Sequence, residues 1–152
     1  MIDSTIPIES LLPHADNMVL IDRLIECGEN FAVAEVGVLN ADRFSGSQDQ
    51  VPSWIGIEYM AQTIAAMAGK HARRDNESVK AGLLLGTRRY WCELASFTVG
   101  ETLIVRVKEL LRGDTGLASF ECTIESADGA PLAKANLNVF QTDQTIDTSA
   151  TP

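Results

Sequence analysis

One acidic side chain lies in the middle of a long apolar run, and it is the first candidate for chemistry in this chain. Between Pro52 and Gly69, Glu58 is the only acidic or basic residue. A carboxylate removed from water is costly unless it is paired or protonated. Gln62 follows one helical turn later, where it can donate a hydrogen bond to Glu58. Glu58 is therefore either a group kept for proton transfer, or a structural carboxylate that points through a gap to solvent or binds a neighbouring backbone amide.

The run around Glu58 has the pattern of one long central helix. Ser53 is predicted as its N-cap and Gly69 as its C-terminal stop. Because the apolar residues leave almost no polar face, we expect other structure to cover the helix on nearly all sides and to bury Glu58. These apolar residues are Trp54, Ile55, Ile57, Met60, Ile64 and Met67.

Length, charge and cysteine content restrict the class of protein. The chain has 152 residues and a formal net charge of −9, which suits one domain and argues against nucleic acid as a partner. The N-terminus lacks the regions of a signal peptide and the helix is too short and polar for a membrane span, so we expect a cytoplasmic protein without membrane contact. Cys27, Cys92 and Cys122 are far apart and are expected to be reduced. With only two histidines, no metal site is expected.

The order of the remaining segments predicts the fold. Two β-like runs precede the helix and four follow it, which favours an α+β hotdog fold: a six-stranded antiparallel sheet wrapped round one long central helix. Its open sheet edge predicts a dimer. The hotdog domain is expected over residues 1–141 and a disordered tail over 142–152. The strands are expected at 18–26, 31–39, 81–91, 102–110, 117–126 and 131–141, a short helical turn at 7–12 and a polar loop at 40–51.

Several segments resemble one enzyme family over nearly the whole chain. The opening of hotdog 3-hydroxyacyl-acyl-carrier-protein dehydratases is similar to LLPH at 11–14 followed by MVLIDR at 18–23. Their helix motif is similar to EYMAQ at 58–62, and their turn before a strand to FTVGE at 97–101. More narrowly, PSWIGIEYMAQ at 52–62 resembles the ApeP-like branch, which is associated with aryl-polyene assembly.

One segment departs from the family pattern. Typical members carry a catalytic histidine in a Gly-His-Phe-Pro segment before the helix, whereas residues 44–50 here read FSGSQDQ. His14 and His71 are the only histidines in the sequence. His14 is the alternative base within the chain, and His71 is the weaker candidate because it lies among basic residues at the far end of the helix. A different hotdog subunit is the third possible source of a histidine.

The resemblance implies elimination of water from a 3-hydroxyacyl thioester. That reaction needs a base for the α-proton, an acid for the leaving hydroxyl and donors for the thioester oxygen. Glu58 would be the acid, because burial favours its protonated form. The first-turn amides from Trp54 through Ile55 to Gly56 would polarise the thioester carbonyl, since they lie at the positive end of the helix dipole. Gln62 completes the expected substrate-binding set on the helix.

The same resemblance implies a carrier protein and no separate cofactor, because the substrate is carried on phosphopantetheine. Arg88 and Arg89 follow the helix in a predicted strand, where alternation would send one side chain inward or along the substrate tunnel and the other outward. The outward arginine, with Lys70 or Arg73, is expected to contact the acidic acyl carrier protein.

Three functions remain open from the sequence. The first is a dehydratase subunit of fatty-acid or aryl-polyene-type synthesis, as a homodimer or as a heterodimer with another hotdog subunit. The second is a non-catalytic partner that completes a heteromeric dehydratase, which the missing histidine favours. The third is a hotdog acyl thioesterase in which Glu58 or Asp49 activates water.

Overall fold

The structure is a computed structural model that describes residues 19–38, 49–77 and 80–145, with side chains described except at 80–85 and 141–145. One helix and eight strands follow one another along these residues. They are β1 (Arg23–Cys27), β2 (Phe31–Gly37), β3 (Gln50–Pro52), α1 (Ile55–Arg74), β4 (Lys80–Cys92), β5 (Ser96–Thr98), β6 (Thr102–Arg112), β7 (Leu117–Ser126) and β8 (Pro131–Thr145).

Six of the strands form one antiparallel sheet in the order β1-β2-β6-β7-β8-β4. The two short strands β3 and β5 pair separately and bring the start of α1 beside the turn that precedes β6. The predicted arrangement of a six-stranded antiparallel sheet with one long helix is confirmed. Among the described residues, β1 and β4 are the edge strands of the main sheet.

Alternation along the strands builds the core between the sheet and α1. In β7, Phe120, Cys122 and Ile124 are buried on one face, while the residues between them are half-buried. The opposing face of α1 contributes Ile55, Met60 and other buried residues to the same core. This apolar burial is what holds the helix against the sheet.

The observed boundaries of α1 correct two expectations. Trp54, rather than Ser53, occupies the N-cap position, and no side chain caps the helix there. Gly69 is buried inside the helix. The stop is instead Asn76, which has a left-handed φ of 56°, and the amides of Asn76 and Glu77 bond the carbonyls of Arg73 and Ala72. This is the Schellman pattern, in which asparagine can replace glycine.

Several other boundaries differ from the sequence-based expectation. β1 begins at Arg23, because residues 19–22 lie outside the regular ladder. β8 continues to Thr145, so the expected start of a disordered tail at 142 falls within a strand. Part of the expected loop at 40–51 is β3. The expected helical turn at 7–12 lies outside the described residues.

Candidate active site

Glu58 and Gln62 meet on α1 as the sequence spacing predicts. The Gln62 side chain is fully buried, and its Nε2 donates to Glu58 Oε1 at 2.9 Å. Its Oε1 accepts the backbone N–H of Leu20 at 2.8 Å. Because a backbone amide can only donate, the Leu20 bond fixes which end of the Gln62 amide faces Glu58. The carboxylate therefore faces a donor held in one orientation.

Glu58 is half-buried, which corrects the expectation of full burial. The reason is visible along the helix. One face of α1 is apolar but incompletely covered by the described residues, and Glu58 lies beside it. We call this face the open stripe of α1; its residues are Trp54, Ile57, Ala61, Ala65 and Ala68. Trp54 is 59% exposed, so the expected cover on nearly all sides is absent from this face within the described chain.

One of the expected donors in the first turn of α1, the Gly56 amide, is already hydrogen-bonded within the chain. Gly56 N–H donates to the Ser53 carbonyl at 3.0 Å, and Ile57 N–H donates to the Trp54 carbonyl at 3.2 Å. The Ser53 carbonyl also accepts the hydroxyl of Tyr90 at 2.5 Å. A substrate oxygen would therefore have to compete with the Ser53 carbonyl for the Gly56 amide.

Tyr90 reaches this turn because β4 is irregular. Arg88 pairs with Asn136 while Trp91 pairs with Lys134, so β4 holds one extra residue there. Arg89, at this bulge, has a φ of 55°. The bulge breaks the alternation, and both Arg88 and Arg89 are exposed, which corrects the prediction that one points inward.

Both tyrosines near the start of α1 stay protonated at neutral pH. Burial raises the pKa of Tyr59 to about 12, with a smaller contribution from the Asp22 carboxylate. Burial also raises the pKa of Tyr90. Tyr59 packs against Phe97, with ring centroids 5.9 Å apart. Sequence reasoning missed the position of Tyr90, because no local pattern reveals that the bulge turns its hydroxyl toward the helix.

The other end of α1 carries a different polar cluster. His71 Nε2 lies 2.8 Å from the Gly28 carbonyl, to which it donates, and 4.0 Å from Cys27 Sγ. Burial raises the pKa of the Cys27 thiol. A cleft of about 250 Å³ opens beside His71, and exposed Arg74 pairs there with Glu29 and with the adjacent Asp75. His71 follows Glu58 by thirteen helical residues, which corresponds to about 20 Å along the axis.

The other predicted residues in the described part of the chain lie at several places in the fold. His14 lies outside the described residues. Asp49 is exposed, and Arg73 lies in the last turn of α1. Arg88 lies on β4, two residues before Tyr90, whose hydroxyl contacts the start of α1. Within the described part of the chain, no cluster of three or more histidine, cysteine, aspartate or glutamate residues could hold a metal ion. No helix there is both long and apolar enough to cross a membrane.

The order of the six-stranded sheet and the long helix packed against it define a hotdog protein. Within that class the chain belongs to the ApeP-like family, described as ApeP dehydratase, whose family model matches residues 6–150. The resemblance predicted from the sequence is therefore confirmed.

Solved structures agree with this assignment. The dehydratase heterocomplex ApeI:P from Xenorhabdus doucetiae is similar with a TM-score of 0.80 and 31% identity, over 91% of this chain and 93% of that one. A hypothetical thioesterase with coenzyme A from Streptococcus pneumoniae has a TM-score of 0.61 at 14% identity, covering 81% and 87% of the two chains. The protein smu.793 from Streptococcus mutans, bound to acetyl CoA, has a TM-score of 0.62 at 14% identity, over 89% of this chain and 98% of that one. The last two show the fold alone. A search among curated proteins gave no match.

Proposed function

We propose that this chain is one subunit of a heteromeric hotdog dehydratase, in which Glu58 is the general acid and a second hotdog subunit supplies the base. The substrate is a 3-hydroxyacyl thioester on the phosphopantetheine of an acyl carrier protein. Membership of a dehydratase family supports the reaction class. The residues of this chain support the division of the acid and the base between two subunits.

The observation that carries the proposal is the fixed Glu58–Gln62 pair. Gln62 Nε2 donates to Glu58 Oε1, so when the carboxyl group is protonated its proton belongs on Oε2. A general acid must present its proton in one direction to a leaving group. A carboxylate that only filled a gap in the packing would not need an orienting amide that is itself held by the Leu20 N–H.

Two observations support a second subunit: the missing family histidine and the surface of α1. The family's usual histidine is absent from residues 44–50, and His71 is about 20 Å from Glu58 along the axis. The open stripe of α1 is apolar and adjoins Glu58, so a partner that covers it would also reach the carboxylate. A similar structure is, by its own description, a dehydratase heterocomplex.

In the proposed reaction the base removes a proton from C2, and the electron pair forms the C2–C3 double bond. The C3–O bond breaks, and Glu58 transfers its proton to the departing hydroxyl, which leaves as water. Negative charge develops meanwhile on the thioester oxygen, where the Gly56 N–H can donate. The base then holds one proton and Glu58 lacks one, so a transfer through solvent restores both groups.

The carrier protein is proposed to dock beside the first turn of α1. Arg88 and Arg89 are both exposed there, on the edge strand next to Tyr90. Two adjacent guanidinium groups suit the phosphate of the pantetheine arm and an acidic protein surface. Arg73 and Lys70, at the far end of the helix, do not belong to this patch within one protomer.

The test is a reconstitution with the partner that co-purifies from the native host, identified by mass. Enoyl formation from a 3-hydroxyacyl-carrier substrate is measured for this chain alone, for the partner alone and for the complex. We expect the complex to be active and this chain alone to be inactive. Full activity of this chain alone would contradict the heteromeric site and would indicate His14 as the base. Release of free acid instead of an enoyl product would indicate a thioesterase.

A further inference from the structure

The Ser53 carbonyl at the start of α1 accepts two hydrogen bonds from different parts of the chain. Gly56 N–H donates from within the first turn at 3.0 Å, and the Tyr90 hydroxyl donates from the edge strand at 2.5 Å. A carbonyl has two lone pairs and can accept both. If one donor leaves, the other still satisfies the carbonyl. Breaking the hydrogen bond from the Gly56 N–H therefore costs less free energy than it would without Tyr90.

The Tyr90 hydroxyl occupies the space that a side chain on residue 56 would fill, so glycine is required there. A Cβ atom on residue 56 would lie 2.4 Å from the Tyr90 hydroxyl and 3.0 Å from Ile124 Cδ1. Any side chain at Gly56 would therefore displace the phenol from the Ser53 carbonyl.

Backbone strain on β4 directs Tyr90 to this place. Arg89 adopts a φ of 55°, a left-handed conformation that costs a residue with a Cβ atom about 1–2 kcal/mol. The strain lies at the bulge immediately before Tyr90, between Arg88 and Trp91. Bulges that re-aim a side chain are common beside functional sites, and strained residues persist where the surrounding structure holds them.

We propose that Tyr90 is a positioning residue for dehydration: it holds the Ser53 carbonyl so that the Gly56 N–H can turn from that carbonyl to the thioester oxygen of the substrate. This inference rests on the proposed function and assigns a further residue to the same site. Burial raises the pKa of the Tyr90 hydroxyl, so the group is neutral and can donate to the Ser53 carbonyl. Tyr90 touches no reacting atom; its effect passes through Ser53 and Gly56.

The test compares Tyr90→Phe with Tyr59→Phe in the complex with the co-purified partner. Both variants remove one hydroxyl from a ring that keeps its shape, but the Tyr59 ring packs beside Phe97 in the core. We expect Tyr90→Phe to lower kcat about 3- to 10-fold, the value of one neutral hydrogen bond, with KM within twofold. Tyr59→Phe should leave kcat unchanged. A purely structural Tyr90 would lower only the melting temperature.

A readout without turnover comes from the Gly56 amide. Titration with crotonyl-N-acetylcysteamine, a short enoyl thioester, should shift the Gly56 N–H resonance downfield in the wild-type complex and less in Tyr90→Phe. Gly56→Ala displaces the phenol and is expected to lower kcat further, and adding Tyr90→Phe to it should cost little more.

The outcomes separate the two proposals. An active wild-type complex in which Tyr90→Phe has unchanged kcat and an unchanged Gly56 shift would overturn the role of Tyr90 and leave the dehydratase standing. A wild-type complex that forms no enoyl product would overturn the dehydratase. If Tyr90→Phe does not fold, Gly56→Ala tests the inference, and unchanged kcat in that variant would overturn it.

Discussion

Both ends of α1 carry polar side chains, but the contacts of these side chains differ. Near the first turn, a buried amide orients the half-buried carboxylate of Glu58 beside an incompletely covered apolar face. At the last turns, His71 donates to the Gly28 carbonyl, and exposed Arg74 pairs with two carboxylates. The first arrangement fits the proposal that Glu58 acts on a bound substrate, whereas the second joins the helix to the turn after β1.

This difference shows why residue type alone is a poor guide to function here. A histidine is the most common general base, yet His71 is already hydrogen-bonded at the end of the helix remote from Glu58. Glu58 is a less obvious candidate by residue type, but Gln62 orients its carboxylate and the group is only half-buried, as proton transfer to a substrate requires. The following predictions test whether the two ends differ in function as their contacts indicate.

The largest effect is expected from Glu58→Gln. This change keeps the size of the side chain and removes the transferable proton, so dehydration by the complex should fall at least about 100-fold. The matched control is Glu26→Gln, on an exposed carboxylate of β1, which should keep the wild-type rate. An unchanged rate in Glu58→Gln would assign this chain the role of a non-catalytic partner.

Gln62→Met should have the next largest effect. It removes the donor to Glu58 and leaves the Leu20 N–H without its acceptor, so we expect a loss of about 1–3 kcal/mol in unfolding free energy. The rate should fall roughly 10-fold, because Glu58 loses its fixed orientation.

Thr63→Val is the matched control for Gln62→Met. Thr63 is fully buried on the same helix, and its hydroxyl donates to the Tyr59 backbone carbonyl rather than to the Glu58 side chain. The control should lose stability with little loss of rate. Equal rate losses in both variants would reduce the role of Gln62 to helix packing.

A smaller effect is expected from charge reversal at Arg88, on β4 beside the start of α1, than from the changes above, and none from charge reversal at Arg73, in the last turn of α1. Arg88→Glu should weaken carrier-protein binding several-fold at low salt, and less at high salt, since an exposed ion pair contributes about 0.2–1 kcal/mol. Its effect should be larger with a carrier-bound substrate than with a short pantetheine thioester. Arg73→Glu, at the other end, should leave carrier binding unchanged. Equal weakening in both variants would place the carrier elsewhere.

The smallest effect on rate is expected from His71→Ala. The variant loses the bond to the Gly28 carbonyl, so the free energy of unfolding should fall by about 0.5–1.5 kcal/mol. Dehydration by the complex should stay within twofold of the wild-type rate. Inactivation of a folded His71→Ala complex would reverse the comparison between the two ends.

The sequence predicted those parts of the structure that depend on local periodicity. Alternation in β7 and the apolar run around Glu58 predicted the sheet, the helix and the contact between Glu58 and Gln62. Partners far apart in the chain were not predictable. Leu20 N–H reaches Gln62 across 42 positions, and Tyr90 reaches Ser53 across 37. Gly69 was mistaken for the helix stop because a buried glycine inside a helix resembles a C-terminal signal.

Incorporation of ¹⁸O from labelled water into the acyl group tests the central claim most directly, because dehydration is reversible. The wild-type complex, given a 3-hydroxyacyl-pantetheine thioester in H₂¹⁸O, should place the label on the C3 hydroxyl, and Glu58→Gln should abolish that exchange. Mass spectrometry of fragments locates the label. Label in a released carboxyl group, or C3 exchange that persists in Glu58→Gln, would contradict the assignment of Glu58 as the acid of a dehydratase.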